Sequence, residues 1–132
     1  MRRLLIGTTG AFVMALAAPV GASISTHVLD LGRGVGGAGV PVRLESRQAD
    51  GSWHRVAEGR TDANGRVREF PGLMQTPAGT YRLSFDLSAY PQQGATPFFP
   101  QIDVVFRVSD PAAHYHVPVV VSPYGYGTYR GN

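Results

Sequence analysis

Histidines are the side chains of this sequence best suited to chemistry near neutral pH, because imidazole titrates there without perturbation. There are four of them and no cysteine, so thiol nucleophiles, disulfides, zinc-thiolate sites and iron–sulfur clusters are excluded. His114 and His116 stand two residues apart in an apolar run typical of a strand. In an extended strand, such side chains share one face about 6.5 to 7 Å apart, with Tyr115 and Val117 on the other. One face of this strand is therefore predicted to carry two imidazoles.

Two kinds of hydrolytic chemistry suit these residues. A His-x-His pair with a third imidazole could hold zinc with an open coordination position. Alternatively, a neutral imidazole takes a proton from water while an arginine stabilises the oxyanion that forms on a carbonyl. Arg66 is a candidate for that arginine, because the turn residues Asn64 and Gly65 fix its position at the start of a strand. No GxSxG motif marks a serine nucleophile, and His54, beside Trp53, is interpreted as an ordinary hairpin residue.

The glycine-rich segment 32–39 contains GxGxxG twice, a pattern that binds dinucleotide phosphates where a helix begins directly after it. Here Val40-Pro41-Val42 opens a strand instead. The segment is therefore predicted to be a flexible, hairpin-like connection without a cofactor.

Composition indicates the elements that must position these side chains. Seventeen glycines and ten prolines among 132 residues separate short runs rich in Val, Ile, Tyr and Phe, which disfavours helices and favours strands joined by turns. One helical turn is predicted near residues 87–90. Strands without intervening helices argue for an antiparallel sandwich. They are predicted at residues 24–31, 40–47, 53–60, 80–87, 101–109 and 114–122, with a short one after Arg66 and a final one ending at 129–132.

The N-terminal residues have the pattern of a secretory signal peptide. Arg2 and Arg3 precede an apolar stretch that ends at Val20-Gly21-Ala22, which fits cleavage after Ala22. A membrane anchor is the alternative, but the stretch is short for a membrane span and contains glycine and proline. We therefore expect a single mature domain, residues 23–132, in a bacterial periplasm and free of the membrane. Without the two leader arginines the net charge of +3 falls to about +1, which is unlike a nucleic-acid binder.

Three segments together resemble one family, the 5-hydroxyisourate hydrolases or transthyretin-like proteins. The first is Ile24-Ser25-Thr26-His27-Val28-Leu29-Asp30, and the second runs from Gly59 to Arg66. The third is His114-Tyr115-His116-Val117-Pro118, continuing through Ser122-Pro123-Tyr124-Gly125-Tyr126 to Tyr129-Arg130-Gly131. The histidines and the Tyr-Arg-Gly ending resemble the hydrolases more than the vertebrate hormone carriers of the same fold.

The resemblance implies an all-β, transthyretin-like antiparallel β-sandwich of two four-stranded sheets and one short helix. It also implies a homotetramer, a dimer of dimers with sites at the dimer–dimer interface. The implied reaction opens the lactam ring of 5-hydroxyisourate to 2-oxo-4-hydroxy-4-carboxy-5-ureidoimidazoline in urate breakdown, without metal or cofactor. The family's catalytic residues fall on His27, Arg66 and His116, and substrate-binding roles are expected for His114, Tyr129, Arg130 and Asn132.

The sequence departs from the family pattern in two places, and two other functions are compatible with it. Most members end in serine, whereas this chain ends in Asn132, whose amide could position a substrate but could not relay a proton as a hydroxyl does. The glycine-rich connection is expected to be longer and looser than usual. The alternatives are a non-catalytic carrier that binds a planar ligand in the tetramer channel, and an exported adhesion or structural module that would be monomeric.

Overall fold

The computed structural model describes residues 10–13, 22–73, 75–91 and 96–132. The predicted signal peptide, residues 1–22, therefore lies almost wholly outside the described residues and stays a prediction. Among the described residues, no helix is long and apolar enough to cross a membrane.

Within these described ranges, nine strands build two sheets, and the all-β sandwich prediction is confirmed. In the first sheet the order is β2-β1-β8-β9, with β5 also paired to β1. In the second sheet it is β4-β3-β6-β7. The strands are β1 (Ser23–Asp30), β2 (Val35–Gly36), β3 (Pro41–Arg47), β4 (Trp53–Arg60), β5 (Arg66–Val67), β6 (Gly79–Asp86), β7 (Gln101–Val108), β8 (His114–Ser122) and β9 (Gly125–Thr128).

Three details differ from the expected two antiparallel four-stranded sheets with a helix. The long pairing of β1 with β8 is parallel, which sequence alternation alone does not distinguish from antiparallel pairing. The first sheet has a fifth strand, because the two-residue strands β2 and β5 share one edge of β1. Within the part described, the expected helix is a turn in which the Tyr90 N–H donates to the Leu87 carbonyl at 3.0 Å; residues 92–95 of the same connection lie outside the described residues.

The core lies between the sheets and is built from the alternate residues of each strand. Its side chains are almost all aliphatic or aromatic, so burial of apolar surface is the main force holding the sheets together. The most deeply buried are Val28, Val40, Val42, Leu44, Leu83, Phe85, Leu87, Ile102, Val108, Val119 and Val121.

The predicted hairpin between β3 and β4 is confirmed, with Gly51 at a φ of 86° as its turn requires. The glycine-rich connection is hairpin-like as predicted, because β2 pairs antiparallel with β1, but at Gly36 and Gly37 it is closely packed rather than loose. A Cβ on Gly36 would lie 2.0 Å from the Asn64 carbonyl oxygen, and one on Gly37 would lie 2.6 Å from Val28. These glycines allow the backbone of the connection to approach β1 and the loop before β5, which is a steric requirement rather than a source of flexibility.

Candidate active site

The histidines of β8 lie on the outer face of the first sheet. His114 and His116 face the same way, with ring centroids 6.4 Å apart and planes inclined by 12°. Tyr115 and Val117 are buried on the other face, so the alternation predicted from the sequence is confirmed. Because β1 pairs with β8 in parallel register, Ser23 stands beside His114, and Ser25 stands beside His116.

Serines of β1 bridge these histidines. The buried Ser25 hydroxyl lies 2.7 Å from Nδ1 of His116 and 3.0 Å from Nε2 of His114. The Ser23 hydroxyl is hydrogen-bonded to Nδ1 of His114. In the described part of the chain, Nε2 of His116 has no hydrogen-bond partner. That nitrogen is therefore available to a water molecule or a substrate.

His27 is held by the loop before β5. Its Nε2 lies 2.8 Å from the carbonyl oxygen of Asn64, and because a carbonyl can only accept, this nitrogen donates and Nδ1 carries the free lone pair of the neutral ring. The loop is fixed in turn by the Asp62 carboxylate, which accepts hydrogen bonds from the backbone N–H groups of Asn64 and Arg66 at 2.8 and 2.9 Å. Gly65 adopts the predicted positive φ, 79°.

Arg66 lies between the two histidine positions. In the register of β1 and β5 it is the direct partner of His27. It borders a cavity of about 250 Å³ and also a shallower depression of about 630 Å³ that His27 lines. The smaller cavity is lined by Ser25, Thr26, Arg66, Val67, Arg68, His114, His116 and Asn132. Arg66 is thus the residue common to both, beside His116 on one side and His27 on the other.

Both candidate catalytic imidazoles favour their neutral form. Partial burial is the main cause that lowers the pKa of His116 below 6.5, and the positive charges of Arg66, His114 and His27 lower it further. Desolvation also lowers the pKa of His27, although its hydrogen bond to Asn64 acts in the opposite direction. A neutral imidazole can accept a proton, so this environment suits a general base at neutral pH.

The C-terminal tail places the remaining predicted residues differently. Gly131 pairs with His116, and a Cβ there would lie 2.6 Å from that ring, so a larger residue would displace the His116 side chain. Asn132 and His114 line the smaller cavity. Arg130 instead stacks 4.7 Å over Tyr115, on the opposite face of β8. Tyr129 is 53% exposed, and within one subunit neither Tyr129 nor Arg130 lines the smaller cavity.

Some site residues were not singled out from the sequence. Ser25 stands two positions before His27 on one strand, so strand alternation could have placed both on one face, and the same holds for Arg68 after Arg66. Asp62 could have been found from its place in a turn, where aspartate commonly accepts nearby backbone N–H groups. The zinc alternative finds no support in the donor geometry, because the described residues contain no cluster of three histidine, aspartate or glutamate side chains able to hold a metal.

Comparison with known proteins gives consistent results. The 5-hydroxyisourate hydrolase of Salmonella typhi is 36% identical over 137 residues, covering all of both chains. That of Caulobacter vibrioides is 43% identical over 115 residues, covering 83% of this chain and 97% of its own. The Salmonella match spans the whole chain and therefore includes the strands that carry the histidines, Arg66 and the tail.

Solved structures include both branches of the fold. Sea bream transthyretin in complex with thyroxine superimposes with a TM-score of 0.75 at 34% identity, covering 83% of this chain and 94% of its own. Klebsiella pneumoniae 5-hydroxyisourate hydrolase gives a TM-score of 0.70 at 32% identity, with coverages of 84% and 99%. The HIUase/Transthyretin family model matches residues 24–131. By sequence and by fold, this chain belongs to the HIUase/transthyretin family.

Proposed function

We propose that this protein is a 5-hydroxyisourate hydrolase, which opens a cyclic amide by adding water. The observation that carries the proposal is that Nε2 of His116 has no hydrogen-bond partner among the residues that the structure describes, and that His116 and Arg66 line the same cavity. A base and a fixed cation beside one small cavity are what hydrolysis of a carbonyl group requires. The names of the curated relatives agree with this reaction.

In the proposed reaction, a water molecule attacks the lactam carbonyl carbon while Nε2 of His116 takes one of its protons. A bond forms between the water oxygen and that carbon, the carbonyl oxygen becomes an oxyanion, and the Arg66 guanidinium stabilises its charge. Collapse of this intermediate breaks the ring C–N bond, and the leaving nitrogen takes up a proton. His27, held through Nε2, offers the lone pair of Nδ1 to orient the substrate or the water.

A carrier function is the alternative, since sea bream transthyretin has the same fold and was solved with thyroxine. The lining of the cavity argues against it. Two arginines and two histidines border a small polar space, and a carrier of a planar ligand needs no base with a lowered pKa beside a cation.

The proposal extends to assembly and location. We propose a homotetramer, which is supported by strands β7 and β9 lying at sheet edges, where unpaired backbone groups favour addition of another strand. Export to the periplasm is supported by the N-terminal pattern of residues 1–22. Size-exclusion chromatography with light scattering tests the first. N-terminal sequencing of protein from fractionated cells tests the second, with Ser23 as the expected first residue.

The decisive experiment generates 5-hydroxyisourate with urate oxidase and follows its ultraviolet decay. The unaltered protein should accelerate the decay, and His116→Ala should lose most of that acceleration. A catalytic base contributes roughly 10²- to 10⁴-fold. His54→Ala is the matched control, because His54 is exposed on the other sheet. Equal decay with and without the unaltered protein would remove the enzyme assignment.

A further inference from the structure

Four side chains form a continuous hydrogen-bonded chain from the smaller cavity to the surface. It runs from His116 through Ser25 and His114 to Ser23. His114 uses both of its ring nitrogens in this hydrogen-bonded chain. His116 uses only Nδ1 and leaves Nε2 facing the cavity, so each ring nitrogen takes part in at most one of these bonds. His116 is half-buried and Ser25 is buried, whereas His114 and Ser23 are exposed. The inner end therefore faces the reacting groups, and the outer end faces solvent.

The valence of the serine hydroxyl fixes the direction of this chain. A hydroxyl has one hydrogen, so between two ring nitrogens it donates to one and accepts from the other. If Nε2 of His116 is the base, the hydrogen of its neutral ring is on Nδ1 and points to Ser25. Ser25 then donates to Nε2 of His114, whose own hydrogen is on Nδ1 and points to Ser23.

The proposed reaction produces a proton that must leave the site. Water brings two protons, and the leaving ring nitrogen takes one of them. The other belongs to the new carboxylic acid, which is ionised at neutral pH because such groups have pKa values near 3.5, about as low as an α-carboxyl. One proton per turnover must therefore reach the solvent, while the carboxylate stays with the product.

We infer that Ser25 is a proton-transfer residue that carries this proton from His116 to His114. In one concerted step, the Nδ1 proton of His116 moves to the Ser25 oxygen, and the Ser25 proton moves to Nε2 of His114. The Nδ1 proton of His114 then passes to Ser23 or directly to water. This transfer follows release of the leaving nitrogen, to which His116 has already returned the proton that it took from water on Nε2. The new carboxylic acid gives its proton to Nε2 as the Nδ1 proton departs, so neither ring is left charged. After the product has left, both rings regain the Nδ1–H tautomer by proton exchange with water. This inference rests on the proposed hydrolase function.

The test compares Ser25→Ala with Ser25→Thr in the full chain. Alanine removes the hydroxyl, whereas threonine keeps it and suits a strand. We expect kcat to fall about 10- to 100-fold in Ser25→Ala with KM changed less than threefold, and to recover to within about threefold in Ser25→Thr. Added imidazole should raise kcat of the alanine variant but not of the unaltered protein, because a diffusing base replaces the missing link. Ser122→Ala removes a hydroxyl of β8 that does not belong to the hydrogen-bonded chain of side chains, and this variant should behave as the unaltered protein.

Two results with these variants would overturn the role of Ser25 in proton transfer. An active unaltered protein with full kcat in Ser25→Ala would overturn the relay alone. A loss that neither threonine nor imidazole repairs would overturn it as well, since it would show that Ser25 only supports the fold. If the unaltered protein itself did not hydrolyse 5-hydroxyisourate, the proposed function would be wrong. The hydrogen-bonded chain would then have no catalytic role either. Nitrogen-15 NMR of the rings then reports the geometry separately, with hydrogen on Nδ1 of both His114 and His116 expected.

Discussion

The outer faces of the two sheets both carry arginines, but they differ in whether a carboxylate neutralises the arginine charge. On the second sheet, Arg82 donates two hydrogen bonds of 3.1 Å to Glu45. Its guanidinium also lies 4.4 Å above the Trp53 ring. On the first sheet, Arg66 has no carboxylate within ion-pair distance among the described residues. Its neighbours are imidazoles whose pKa values are lowered.

The difference separates structural charge from functional charge. A paired, half-buried arginine satisfies its partner's hydrogen bonds and holds two strands together, so its positive charge is largely neutralised by the carboxylate. An arginine without an ion-pair partner beside a cavity has its charge available to a ligand, and its positive charge adds to the effect of burial in lowering the pKa of the neighbouring histidines. By this criterion the outer face of the first sheet is the functional one.

The largest expected effects come from removing one arginine from each face, because one variant should lose activity and the other should lose stability. Arg66→Ala should lower kcat/KM by roughly 10²- to 10³-fold, the cost typical of removing an oxyanion donor, with little change in the free energy of unfolding. Arg82→Ala should keep most of the activity but destabilise the fold by about 1.5 to 3 kcal/mol, because the half-buried Glu45 carboxylate loses charged hydrogen bonds. Steady-state kinetics and urea unfolding of both variants measure this. Similar activity losses in the two would contradict the distinction between the faces.

A second test concerns how the first face is positioned. Gly36→Ala should destabilise the fold by roughly 1 to 3 kcal/mol, as overpacking does, because its Cβ would meet the Asn64 carbonyl at 2.0 Å. That carbonyl holds His27, so kcat should fall as well. Gly32→Ala is the matched control in the same connection, since its nearest contact would be an ordinary 3.4 Å. Thermal unfolding and activity that are unchanged in Gly36→Ala would show that the connection has the freedom the sequence suggested.

Much of this face could be predicted from the sequence because strand alternation is a local property. The shared face of His114 and His116, and the start of β5 at Arg66, follow from spacing and turn chemistry. The parallel pairing of β1 with β8 could not be predicted in this way, since it joins segments 91 residues apart. It is this pairing that places Ser25 between two histidines.

The glycine-rich connection shows the other limit of sequence analysis. Glycine has the same local signature whether it provides flexibility or permits close approach of two backbones. Gly36 belongs to the second kind only because the Asn64 loop lies against it, and that loop is 28 residues further along the chain. The orientation of Arg130 toward Tyr115 likewise depends on the path of the tail, which the motif Tyr-Arg-Gly does not encode.

The smallest expected effect separates the two faces by pH. The active His116 is neutral, and its pKa lies below 6.5, so activity should stay high at pH 6.5 and fall only at lower pH. On the other face, the hydrogen bonds from Arg82 lower the pKa of Glu45 below 4.5. An acid whose pKa is lowered on folding contributes stability above its unfolded value, and that contribution is lost as the pH falls through the folded pKa. We expect activity to decline at a higher pH than the Glu45 contribution to stability does, because imidazole starts from a reference pKa of 6.5 and the carboxyl from 4.5. Activity–pH profiles and urea unfolding from pH 7 to pH 3 measure the two, with Glu45→Gln as the control that should lose the acid-dependent part of stability and keep the activity profile.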